Sequence, residues 1–260
     1  MNGLLTPRQH QLVAKVIEEY IQTAEPVSSK AIAQSGYFDV RSATIRNEMA
    51  DLEDGGYLQQ LHTSGGRVPT AKAYRLYVNQ LLATEGVSIS HAHRRRIDEA
   101  LAAIDVRDPE QVNKALARVV GQLSGALVMA SMSEREEAYK FGISNLAAFP
   151  EFREIGRFAG LAEFFDQFDA MADSLMRRAF GPAYPTASAR QSDGGDVRVL
   201  IGSENTDDRI KDETMICARY RLPEGHEGTL TLVGPMRMDY RRNIGLMTYV
   251  AQAAHRISRT

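Results

Sequence analysis

The apolar positions at the start of the chain recur at helical spacing in short, interrupted runs. Leu12, Val16 and Tyr20, with Val13 and Ile17 beside them, form a stripe that continues to Ile21. Thr6-Pro7 opens that helix with an N-cap and a proline at the first helical position. Glu25-Pro26 breaks it. Ser28 then caps a short helix over 29–34, with Ile32 inward and Lys30 outward, and residues 36–40 form a turn. Ser42 reads as the N-cap of a third helix, in which Ile45, Met49 and Leu52 share one face at i, i+4 and i+7. Gly55-Gly56 stops this helix in the manner of a left-handed cap. Residues 57–61 read as a strand and 62–67 as a polar, glycine-rich turn. Val68 re-enters the pattern, and a fourth helix over 70–82 carries Tyr74, Tyr77, Val78 and Leu81. Three helices followed by strand, turn and strand predict a winged helix-turn-helix.

The pattern then loosens. Residues 84–90 read as a linker, 91–104 and 109–123 as amphipathic helices, and 124–131 as a buried strand. Residues 134–137 are charged, and 139–149 hold short apolar pieces around Asn145. A single helix is predicted over 158–180, with apolar positions at 161, 164, 165, 168, 171, 175 and 176. Prolines, serines and glycines over 181–195 predict a mobile connection. The last third changes period: 197–201, 214–222 and 229–233 are strand-like, and Asp239 caps a final helix over 240–257. The fold class is therefore α+β, divided into a DNA-binding domain over 1–83, the linker, and a second domain over 91–260.

Composition narrows the function. A chain of 260 residues exceeds the usual single domain, and its 43% hydrophobic and 25% charged content is that of a globular protein. No apolar run approaches the roughly 20 residues that cross a bilayer, and the opening MNGLLTPRQH has no apolar core of signal-peptide length. One cysteine, Cys217, lies in an apolar strand pattern and points to a buried thiol in a reducing cytoplasm. The net charge of −2 does not advertise a nucleic-acid binder. Lys and Arg at 8, 15, 30, 41, 46, 67, 72 and 75 are matched by acids at 18, 19, 25, 39, 48, 51, 53 and 54. DNA binding then requires the basic groups to segregate to one face, because phosphate neutralisation drives affinity.

The third helix supplies such a face. Arg41, Thr44, Arg46, Asn47 and Glu48 lie outward near its start, and Arg and Asn have the donor geometry for guanine and adenine edges. Elsewhere the signals are weak. His91 and His93 lack a third ligand and flank the basic run Arg94-Arg95-Arg96. Asp207, Asp208, Asp212 and Glu213 read as a solvated loop, and Arg237, Asp239, Arg241 and Arg242 as a capped helix start with local ion pairs. No HExxH, CxxC, Walker loop or GxSxG occurs, so no enzyme, metal or cofactor is expected.

Two blocks resemble a known family. LTPRQHQLVAKVIEEYIQTAEPVSSKAIA and RSATIRNEMADLEDGGYLQQLHTSGGRVPTAKAYRLYV, over residues 4–82, are similar to the HrcA heat-inducible transcription repressors. So are IGSEN, ICARYRL and GTLTLVGPMRMDYRRNIGLMTYV over about 197–257, and the segment GISNLAAFPEF. HTSGGRVPT and GPMRMDY are the specific motifs. The resemblance implies a repressor of bacterial chaperone operons, bound as a dimer to an inverted-repeat operator, with the chaperonin as a further partner. It also implies a GAF-like second domain. Here only a few residues separate the strand at 125–131 from Tyr139, where the family carries further strands and a dimerising insert. A reduced GAF-like domain is therefore expected, with dimer contacts from helices 70–82, 91–123 or 158–180.

Carried onto this sequence, Arg41, Thr44, Arg46 and Asn47 are assigned to base or near-base contact. Ser28, Lys30, Ser42 and Thr70 are assigned to phosphates, and His62, Thr63, Ser64 and Arg67 to the wing. The alternative is a small-molecule-sensing winged-helix regulator with its ligand in the GAF-like domain. A chaperone-interaction protein that has lost DNA binding is disfavoured by the intact wing motif. Heat inactivation is expected from a reduced second domain of marginal stability, whose warming depopulates the dimer.

Overall fold

The computed structural model describes residues 5–61, 65–83, 87–133, 135, 137–181, 189–192 and 195–259. It divides into two units, Met1–Gln80 and Leu81–Thr260.

In the first unit, α1 (Pro7–Thr23) begins with a reciprocal capping box. The Gln9 backbone N–H donates to the Thr6 hydroxyl, and the Thr6 N–H donates to the Gln9 side chain. The unit continues with α2 (Ser29–Gln34), α3 (Ser42–Asp54), the hairpin β1 (Leu58–Gln60) and β2 (Arg67–Pro69), and α4 (Ala71–Ala83). Val16 and Ile17 of α1, Ile32 of α2, Ile45, Met49 and Leu52 of α3, Leu58 of β1 and Val78 of α4 are buried together as the core. Each side chain so buried contributes on the order of 1.5–3 kcal/mol. The turn after α3 closes as expected from Gly55-Gly56. Gly56 takes the left-handed conformation at φ +74°, the Tyr57 N–H donates to the Leu52 carbonyl, and the Gly56 N–H donates to the Glu53 carbonyl.

In the second unit, α5 (His91–Ala102) and α6 (Pro109–Ser124) precede a six-stranded antiparallel sheet. Its strands are β3 (Leu127–Met132), β4 (Tyr139–Phe141), β5 (Ala189–Ser192), β6 (Gly195–Ile201), β7 (Glu213–Arg221) and β8 (Glu227–Pro235), in the order β4-β3-β8-β7-β6-β5. α7 (Ile155–Asp166), α8 (Phe168–Ala179) and α9 (Tyr240–Ile257) complete the unit. Both faces of the sheet are covered. α6 and α9 pack on one face. The other carries Leu127, Met129, Met215, Cys217 and Val233 against Leu161, Phe164 and Phe168. The burial of β7 is accordingly nearly continuous rather than alternating.

The sheet is wider than the four strands read from the sequence. β4 and β5 are too short to show a period, and β3 and β4 pair directly as a hairpin, with Val128 opposite Phe141. The helix predicted over 158–180 is two helices. At Gln167 the backbone leaves the helical region (φ −90°, ψ 2°), while Phe164 and Phe168 on either side stay fully buried with ring centroids 6.1 Å apart. Of the predicted linker, Ile89 is buried against Gly245, and the Ser90 hydroxyl caps α5. Most of the connection predicted as mobile, 182–188 and 193–194, lies outside the described residues.

The polar residues of the second unit's recognisable blocks are internal braces. The amide of Asn205, in IGSEN, donates to the Ile210 and Glu213 carbonyls at 3.0 and 2.8 Å. That of Asn145 donates to the Gly121 and Ala126 carbonyls. In GPMRMDY, Asp239 caps α9 through the Arg242 N–H, Arg237 pairs with Glu151, and Tyr240 shares a buried 2.8 Å hydrogen bond with Thr214.

Candidate nucleic-acid interface

α3 presents the face predicted for it. Ile45, Met49 and Leu52 are fully buried, and Arg41, Thr44, Arg46 and Asn47 are exposed. Arg41, not Ser42, is the N-cap residue: its backbone is extended, and no side chain caps the helix. Ser42 is instead the first helical residue, and its hydroxyl shares a 3.2 Å hydrogen bond with that of Ser29 in α2. The expected cap and phosphate ligand is thus engaged in joining the two helices of the motif. Ser28 and Lys30 are exposed at the start of α2, where the Ser28 hydroxyl accepts from the Ala31 N–H.

The wing is fastened to the segment before α2 and closed across its own turn. Val27 and Arg67 exchange both backbone hydrogen bonds at 2.9 Å, adding a bridge beside the hairpin. Gly66 lies so close to that bridge that a Cβ on it would fall against the Pro26 carbonyl and within 2.6 Å of the Val27 carbonyl carbon. The Gln60 side chain donates to the Gly65 carbonyl at 3.2 Å, across the turn.

Two residues assigned to DNA are also bonded within the protein. Arg67 Nε donates to Glu53 Oε2 at 2.8 Å, and the Arg67 side chain is 14% exposed. The Thr70 hydroxyl donates to the Gly56 and Tyr57 carbonyls and caps α4 through the Ala73 N–H, which commits it to the fold. His62, Thr63 and Ser64 lie outside the described residues. Glu53 and Ser29 were missed. In sequence one is an acid at the end of a helix and the other a serine beside a cap, and neither carries a local signal of its partner.

Charge segregation, which the composition left open, follows from pairing. Arg8 pairs with Glu48 at 3.0 Å, Lys15 with Glu18, and Arg67 with Glu53. Lys72 donates to the Gly55 carbonyl and sits over the Tyr57 ring. Lys30, Arg41 and Arg46 make no ion pair or hydrogen bond through their side chains with the other described residues, and all three are exposed on α2 and the start of α3. Asp39 is exposed in the turn before α3, while Asp51 and Asp54 are exposed at its far end. A rise of 1.5 Å per residue puts Asp51 roughly 15 Å along the axis from Arg41.

Among the described residues the second unit holds no comparable site. Arg95 pairs with Glu99, and Arg94 and Arg256 flank the Tyr249 ring. Arg209 binds Asp207, and Arg157 binds Glu213. Burial pushes the Cys217 thiol up to about 12, against its contact with the Thr231 hydroxyl, so it is no nucleophile. Among the described residues no cluster of His, Cys, Asp and Glu could hold a metal ion, and no helix is long and apolar enough to cross a membrane. A cleft of about 670 Å³ opens beside α6, β3 and β4, rimmed by Glu110, Lys114, Arg135 and Glu137. It is not the apolar pocket that a small-molecule sensor requires.

Comparisons with known proteins agree with this geometry. Residues 4–82 match a family model described as the winged helix-turn-helix transcription repressor, HrcA DNA-binding, and residues 69–244 match the HrcA protein C terminal domain. A heat-inducible transcription repressor HrcA from Desulforudis audaxviator is 27% identical, over 96% of this chain and 97% of that protein. One from Oceanobacillus iheyensis is 25% identical, over 94% of each. A third, from Prosthecochloris aestuarii, is 44% identical over 47% of this chain and 35% of that protein. The first two alignments run over 345 and 338 positions, against 260 residues here, so those relatives carry stretches with no counterpart in this chain. A crystal structure described as a hypothetical protein at 2.2 Å resolution superposes with a TM-score of 0.78 at 18% identity, covering 98% of this chain and 99% of that one. That likeness concerns the fold alone.

Proposed function

The chain belongs to the HrcA family of heat-inducible transcription repressors, and from that premise we propose that it binds an inverted-repeat operator upstream of chaperone genes as a homodimer and releases it on heating. It is a winged-helix DNA-binding repressor and not an enzyme. The observation that carries the finer reading is that Lys30, Arg41 and Arg46, exposed on α2 and the start of α3, have no side-chain partner among the described residues.

Arg41, Thr44, Arg46 and Asn47 contact base edges in the major groove, and Ser28 and Lys30 contact phosphates. His62, Thr63 and Ser64 place the wing tip on the adjoining backbone or minor groove. Lys30, Arg41 and Arg46 alone are too few cations for tight binding by one protomer. A dimer doubles them and sets two recognition helices about one helical turn, ~34 Å, apart. The protein acts in the cytoplasm, in keeping with its single buried cysteine, and the chaperonin is the partner that keeps it active.

A footprint of the purified protein on its own upstream DNA tests the operator, with two protected half-sites expected. Size-exclusion chromatography with light scattering at micromolar concentration tests the dimer. A strict monomer with and without operator would overturn it.

A further inference from the structure

We propose that Glu53 positions the wing for DNA: through one carboxylate, the last turn of α3 grips both strands of the hairpin. The inference rests on the DNA-binding reading above. Glu53 Oε1 accepts from the Gln60 backbone N–H in β1 at 3.1 Å, and Glu53 Oε2 accepts from Arg67 Nε in β2 at 2.8 Å. Each oxygen holds a different strand, so the helix that reads bases and the hairpin beside it share one anchor. The Arg67 and Glu53 side chains are 14% and 32% exposed. A hydrogen bond between charged groups is shorter and stronger than one between neutral groups.

Arg67 is the only Lys or Arg in the stretch 57–69. Its charge is cancelled by Glu53, so the wing approaches DNA as a polar, uncharged element whose worth depends on where it is held. This has a consequence opposite in sign to simple electrostatics. A carboxylate that merely lies near a DNA-binding face repels phosphates, and removing its charge tightens binding. A carboxylate that holds the wing weakens binding when removed, although the protein becomes less acidic.

The test uses the full chain with Glu53→Gln, Arg67→Gln and the double variant. Each is titrated on the footprinted operator duplex and on a scrambled duplex at several salt concentrations, with circular-dichroism melts to report folding. Wild type prefers the operator. Each single variant is expected to bind it about tenfold more weakly, a loss of about 1.4 kcal/mol. Arg67→Gln should keep the wild-type dependence on salt, and the double variant should lose no more than the weaker single, because one anchor is broken only once.

Operator binding by Glu53→Gln as tight as wild type, or tighter, overturns the proposal. So does a salt slope in Arg67→Gln lowered by about 0.9, the signature of one lost phosphate contact, with losses that add in the double variant. If Glu53→Gln fails to fold, Arg67→Gln decides alone: operator binding as tight as wild type, or a salt slope lowered by about 0.9, overturns the proposal. A wild-type protein indifferent to operator sequence overturns the DNA-binding reading itself, and is recognised before any variant is compared.

Discussion

The hydroxyl of Ser29 stands 3.2 Å from the hydroxyl of Ser42. One belongs to the buried start of α2 and the other to the first residue of α3, so this hydrogen bond ties the two helices of the motif together. Its two ends are unequal. Ser29 is 8% exposed, whereas Ser42 is partly open to water.

The two alanine substitutions should therefore differ. Ser42→Ala leaves a buried hydroxyl without its partner and should cost about 1–3 kcal/mol of stability. In Ser29→Ala the remaining hydroxyl can turn to water, and the loss should be nearer 1 kcal/mol. Both should weaken the operator more than scrambled DNA. Urea denaturation and operator titration of the pair check the order, and equal costs would remove the asymmetry.

Arg46→Ala should lower operator affinity by about 1–3 kcal/mol, the worth of a good base contact. Arg46 is exposed and its side chain meets no partner among the described residues, so the thermal melt should not move. Unchanged operator affinity would take Arg46 off the reading face.

Gly66→Ala should destabilise the wing by about 1–3 kcal/mol, because the added methyl meets backbone of Pro26 and Val27 rather than a movable side chain. Hydrogen exchange should show faster exchange of the Val27 and Arg67 amides, with α1 protected as before. Wild-type protection at those two amides would contradict the packing.

Glu213 sets a pH dependence in the second unit. Its side chain is 1% exposed, and burial pushes its carboxyl above the ordinary value of 4.5, against the hydrogen bond from Arg157. The folded state therefore binds this proton more tightly than the unfolded chain does. The contribution is fully present below the ordinary value and is lost as pH rises through the raised one. Glu213→Gln should flatten the fall in stability in that window. Glu213→Ala should cost about 3 kcal/mol at neutral pH by removing the carboxylate that Arg157 binds. Denaturation across acid to neutral pH reads both, and a wild-type slope in Glu213→Gln would assign the dependence to another group.

Much of the local structure is legible residue by residue. α2 begins and ends where Ser28 and the polar turn place it, and α9 follows Asp239 to Ile257. Gly55-Gly56 closes α3 because only a left-handed residue lets the Tyr57 amide reach the Leu52 carbonyl. These are local events, in which the deciding residues lie within a turn of one another. The split at Gln167 escapes the same reading, since the apolar spacing of 158–180 runs through it and the bend serves a sheet assembled from distant strands.

The sequence alone determined that a helix with Arg41, Thr44, Arg46 and Asn47 on its outer face would precede a glycine-rich hairpin, because helical period and turn chemistry are written in neighbouring residues. Only the tertiary structure decided which charges remain for DNA. Arg67 and Glu53 are 14 residues apart, and Arg8 and Glu48 lie on different helices. Ion pairing depends on distance in space, and composition counts every charge alike, whether it faces water or a partner.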